Sequence, residues 1–268
     1  MMAAAMPVSR LLAVTALAAA VAVALALVPP ASALGGALAG PAPVVAFTLL
    51  KVFLLGLAAR WSFTSSARLD PGHPARRSWG LLATGLAGYA VGHTALGIEQ
   101  LAFENPPFPF VSDVFFLPSA LALATAQFGF LGAYRSSGLF PDRGRGLAAL
   151  VAAVLASGVA AVVVTATLRL PVPLLEQATD VAYAILDLAL LVPLVLLVRL
   201  ARQLGGPVGK VWRLLLGGFV VLAVADVSIG YLDALGSGPS YLFSQAPFVI
   251  AYGLIAAGSR LQLSLLAD

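Results

Sequence analysis

The feature that most constrains this chain is the recurrence, over nearly its whole length, of apolar stretches separated by short polar breaks. A bilayer core about 30 Å thick asks for roughly 20 apolar residues per helix. Eight stretches of that kind can be read, at 11–28, 41–60, 79–100, 110–134, 146–168, 173–200, 210–233 and 241–260. The breaks carry helix-ending residues: Pro29-Pro30, Asp70-Pro71-Gly72, Asn105-Pro106-Pro107, Pro141-Asp142, Pro171, Gly205-Gly206-Pro207, and Gly236 to Pro239. Composition agrees. Hydrophobic residues make up 61% of the chain and charged ones 10%, and the mean hydropathy is +1.01, which excludes a soluble enzyme. The expected fold is an all-α integral membrane protein with eight transmembrane helices in a single transmembrane domain over residues 1–268.

The net charge of +4 and pI near 9.8 would suggest nucleic acid in a soluble chain. In a membrane protein it reflects basic cytoplasmic loops, so the distribution decides, and no nucleic-acid partner is expected. Arg10 precedes the first span, while Arg60, Arg68, Arg76 and Arg77 lie between the second and third. Arg135, Arg143 and Arg145 lie between the fourth and fifth, Arg199, Arg202, Lys210 and Arg213 flank the sixth-to-seventh connection, and Arg260 follows the eighth. All fall on one side. The other side holds Glu99, Glu104, Glu176 and Asp233, with Arg169 as its base. This asymmetry puts both termini on the cytoplasmic side of the membrane. Trp61, Trp79 and Trp212 fall at cytoplasmic helix ends, where a ring at the lipid interface is expected. Helix 1, about 11–28, followed by Ala31-Ser32-Ala33, has two readings: a retained span, favoured by its length, or a cleaved signal peptide.

The spans resemble one another. Tyr89, His93, Gly97 and Gln100 share a face of the third, and Asp226, Gly230 and Asp233 repeat the last two spacings in the seventh. Ser112-Asp113 with Phe116, Thr179-Asp180 with Tyr183, and Ser244-Gln245 with Phe248 each set a hydroxyl, an acid or amide, and an aromatic three residues on. Seven beyond the acid or amide stand Ala120, Asp187 and Tyr252, on the same helical face. Repeated helical hairpins account for this pattern; chance likeness among apolar segments is its competitor.

The segment Pro107-Phe-Pro-Phe-Val-Ser-Asp-Val-Phe-Phe-Leu117 resembles the P-F-P-S-x-A-D-x-F-Y-L sequence of multi-span N-terminal sensor regions in bacterial cyclic-di-GMP signalling proteins. So do Thr179 to Asp187 and the stretch from Asp226 through Tyr231 to Ser244-Gln245, in that family's order. The family joins such a region to a cytoplasmic cyclase or phosphodiesterase domain, whereas eight residues follow Arg260 here. The resemblance therefore implies an input module of a bacterial cytoplasmic (inner) membrane without its usual output, working through a separate cytoplasmic signalling protein. It assigns no site residue.

Ionisable groups at bilayer depth are costly, at roughly 2.5–3.5 kcal/mol each on insertion scales, and mark sites or obligatory pairs. Lys51, His93, Asp180, Asp187 and Asp226 are the candidate ligand-binding residues, all in the central or outer half of the membrane. Lys51 either binds an anionic group or pairs with Asp187 or Asp226; His93 has a competing reading as a hydrogen-bonded core residue. Asp113 is better explained by a helix's first turn, and Glu99 and Glu104 by solvation. With no Cys and two His, thiolate and multi-histidine metal centres are excluded, and no P-loop, nucleophile elbow or dinucleotide fingerprint is present. A carboxylate-only metal site from Asp113, Asp180, Asp187 and Asp226 stays open, with the metal unknown; no cofactor is expected. The leading functional reading is a non-enzymatic sensory or ligand-binding module with an outward-facing polar pocket for an unidentified small molecule. A small-molecule or ion transporter is the alternative and a membrane-embedded enzyme the third.

Overall fold

A computed structural model describes residues 6–27, 40–103, 110–138, 158, 165, 173–234 and 241–267. Among the described residues the long elements are seven helices and there is no strand: α1 (Val8–Ala26), α2 (Pro41–Arg68), α3 (Arg76–Ala102), α4 (Asp113–Ser136), α5 (Leu174–Leu204), α6 (Gly206–Ala234) and α7 (Tyr241–Leu265). Six are long and apolar enough to cross a membrane: α1 to α4, α6 over Gly206–Asp226, and α7 over Phe243–Leu265. Seven helices thus stand against eight expected spans, and the fifth expected span, 146–168, lies outside the described residues. The helices also outrun the apolar stretches. α2 continues to Arg68 and α5 to Leu204, because hydrogen bonding ends a helix, whereas hydropathy locates only its bilayer portion.

The helices α2, α3, α4, α5, α6 and α7 pack in that order and close a ring, since α7 also packs on α2; α1 lies outside it against α7. Contacts fix the directions. Thr48 meets Gly97 and Ser66 accompanies Gly80, so α2 and α3 are antiparallel; Ser62 bonds Ser259 while Lys51 meets Phe248, so α2 and α7 are parallel. Along the α3–α4 seam, Gly92 touches Phe116, Gly88 touches Ser119 and Gly85 touches Leu123. A Cβ at Gly85 would stand 2.7 Å from Leu123 and 2.9 Å from the Ser119 carbonyl oxygen, so the backbones come this close only with glycine there. Close approach of this kind supplies dispersion contacts where lipid offers no hydrophobic drive between helices. Large apolar side chains such as Leu17, Leu49, Phe63 and Leu121 cover the outside of the bundle.

The basic ends hold a second apolar layer. Trp79, Phe130, Trp212 and Tyr134 form an edge-to-face series with centroids 5.1, 4.9 and 5.5 Å apart, and Trp212 Nε1 donates to Tyr134 Oη at 2.6 Å. This corrects the expected aromatic belt. Trp79 and Trp212 are each 3% exposed and Trp61 is also buried, because their polar edges find partners, or their rings neighbours, inside the bundle.

Candidate functional site

The end of the bundle where α3 finishes and α2, α4, α5 and α7 begin carries the acids. Glu99, in the last turn of α3, is buried rather than solvated. Its carboxylate accepts from the backbone N–H of Val111 and of Ser112, at 3.4 Å for the latter, just ahead of α4. Glu104 lies outside the described residues. Seven residues separate Gly85 from Gly92 and Gly92 from Glu99, so Glu99 prolongs the glycine face that packs on α4. Gln100, which the repeat spacing placed on the inner face, is exposed instead.

Asp113 opens α4 and is held from both sides. Oδ2 accepts from the Phe110 N–H at 2.7 Å and Oδ1 accepts from the Tyr183 hydroxyl of α5. The first-turn explanation of Asp113 is therefore extended by a tie between helices. Asp180, half-buried one turn before Tyr183, lies in electrostatic range of Asp113 and Glu176. Asp226 of α6, also half-buried, lies in range of the Tyr183 and Tyr252 hydroxyls. Asp187 belongs to α5, but its side chain is outside the described residues.

Deeper in the ring sits an aromatic cluster around His93. Its ring meets those of Phe116 at 5.0 Å, Tyr252 at 5.3 Å, Phe248 at 6.3 Å and Tyr89 at 6.5 Å, and its Nε2 is 2.7 Å from Tyr252 Oη. His93 Nδ1 has no hydrogen-bond partner. Lys51, 5% exposed, places its Nζ 5.9 Å from the centroid of Phe248, a cation on an aromatic face. It lies in electrostatic range of His93. The expected pairing of Lys51 with Asp226 is not formed; among the described residues Lys51 has an aromatic partner and no carboxylate. A pairing with Asp187 lies outside the described residues.

The structure thus brings Lys51 and His93 together and sets Asp226 within range of Tyr252, with Asp180 nearer the acidic end. It adds groups that were not singled out as site residues. Tyr183 and Tyr252 occupy the repeat positions three and seven beyond Asp180 and Gln245, which was the available signal for them. Gln127 of α4, buried with both amide atoms unpartnered, had no signal beyond being a polar residue in an apolar span. Among the described residues the hydroxyl set against an imidazole is that of Tyr252, on His93. Among them, too, no three His, Asp or Glu side chains are grouped to hold a metal ion; the carboxylate site left open above includes Asp187, whose side chain lies outside the described residues. No family model matches the chain, and no characterised protein or solved structure matches it either.

Proposed function

We propose that this chain is a non-enzymatic ligand-binding module of the bacterial cytoplasmic membrane, crossing it eight times with both termini on the basic side and passing its signal to a separate protein. The observation that carries this reading is the pair of buried donors, Lys51 and the His93 ring, close together inside the helix ring with no acid among the described residues paired to them. A cation kept at that depth is costly when its partner among the described residues is an aromatic face rather than a carboxylate, and a binding role accounts for its retention. The eight-crossing count draws support from α4 and α5. Asp113, the first residue of α4, meets Tyr183 of α5, and the sequence between these two helices, which lies outside the described residues, contains the apolar stretch 146–168. The resemblance of Pro107 to Leu117 to membrane sensor regions of cyclic-di-GMP signalling proteins favours sensing as the use of such a site.

Transport is the second reading, and Gln127 favours it. This unpartnered amide stands nine residues from the basic end of α4, roughly 13 Å by helical rise, so buried polar groups continue inward past the His93 cluster. Purified protein, screened by thermal unfolding against amino acids, organic acids, sugars, polyamines and inorganic ions, separates the two readings when each stabilising solute is offered to proteoliposomes. Saturable stabilisation without uptake is the expected result. Accumulation of the solute that is lost in Asp226→Asn would establish the transporter instead.

A further inference from the structure

Four features of the inner cluster define what a guest would have to be. Lys51 stands ten residues into α2, His93 nine residues before the end of α3, and Tyr252 eleven residues into α7, each about 15 Å from the acidic ends by helical rise. Lys51 Nζ and the His93 ring both border Phe248, at 5.9 Å and 6.3 Å from its centroid. Lys51 offers three N–H donors, and among the described residues its partner is an aromatic face. When Tyr252 donates its hydroxyl proton to His93 Nε2, the neutral imidazole carries its own proton on Nδ1, the atom without a partner, and that atom becomes a further donor.

We propose that Lys51 and His93 form a binding site for a small monocarboxylate, of the size of formate or acetate, held between α2, α3 and α7. The proposal rests on the ligand-binding reading of this same site and names its ligand class. Lys51 supplies one positive charge and Asp226 lies in range of the Tyr252 hydroxyl, so a dianion such as sulfate or phosphate would bring more negative charge into the ring than Lys51 can balance. The two oxygens of a carboxylate match donors arriving from two helices, one from Lys51 and one from His93 Nδ1–H. Phe116 and Phe248, which flank the imidazole, provide apolar surface for a hydrogen or a methyl group on the carboxylate carbon. The depth excludes the headgroup of a lipid, whose charges lie at the bilayer surface.

The test is acetate binding to the purified full chain in detergent, by equilibrium dialysis of labelled acetate and by thermal unfolding at constant ionic strength, with sodium sulfate replaced stepwise by sodium formate, acetate or chloride. The wild type is expected to bind about one acetate per chain and to show a saturable rise in Tm with formate and acetate but not with sulfate. Lys51→Met, which removes the charge while keeping an unbranched apolar stem, should fold and bind acetate roughly tenfold or more weakly. His93→Phe should weaken binding by a smaller factor. Absence of saturable acetate binding in the wild type, acetate affinity unchanged in Lys51→Met, or a saturable chloride effect that acetate does not compete would each overturn the carboxylate site. If acetate fails while another solute of the screen stabilises the protein, the carboxylate assignment falls and the ligand-binding reading stands. If no solute stabilises it, both fall.

Discussion

A carboxylate at the end of one helix can organise the start of the next, and Glu99 does this for α4 through the Val111 and Ser112 amides. Glu99→Ala would leave those donors without their acceptor in a largely buried setting, at a cost of about 1–3 kcal/mol. The expected outcome is a lower midpoint of thermal or chemical unfolding in detergent, whereas Asp70→Asn, at an exposed position beyond α2, should be silent there. Tyr252→Phe tests the other end of the same logic. It removes the hydrogen bond to His93 Nε2 while keeping the ring packed on Phe248, and should cost about 1–2 kcal/mol. The role of Glu99 was not legible from sequence. Glu99 reads as a loop acid because its partners are backbone amides 12 and 13 residues on, and backbone groups leave no mark in a sequence.

At the scale of the element, more could be read. Apolar length located the described helices, and the three-and-seven spacing marked Tyr183 and Tyr252, the two tyrosines that contact Asp113 and His93. The seams between helices were not readable, since glycine and alanine are frequent everywhere in the chain and only packing tells which of them face a neighbour. Gly85 is the sharpest case. Gly85→Val would drive side-chain atoms against the Ser119 backbone, which cannot move aside as a side chain can, and should destabilise the bundle by about 1–3 kcal/mol. Gly132→Ala, in open space on α4, is the control expected to have no measurable effect on the unfolding midpoint. Gly253 distinguishes a local from a global role: a Cβ there collides with Thr15 of α1, which lies outside the ring. Gly253→Leu is therefore expected to release α1 selectively, read as loss of a disulfide or bifunctional crosslink between engineered α1 and α7 positions while the ring keeps its unfolding midpoint.

Across the whole molecule the orientation can be measured directly, because the chain has no cysteine of its own. In intact cells, single replacements Asn105→Cys and Gly236→Cys should react with an impermeant maleimide, while Arg76→Cys and Arg143→Cys should react only after permeabilisation. The opposite pattern would invert the topology that the arginines imply.

The closure of the ring also sets an order in time. α7 holds α1 on its outer side, α2 through Ser62 and Ser259, and α3 through His93 and Tyr252, across sequence separations of 197 and 159 residues for the last two pairs. α1, α2 and α3 leave the ribosome long before α7 does, so Lys51, Ser62 and His93 must wait in the bilayer without the surfaces that later bury them. Biogenesis therefore has a vulnerable interval, during which chains halted before Tyr241 expose polar helix faces to lipid and to membrane proteases, and a pulse-chase comparison should find them degraded faster than the completed bundle.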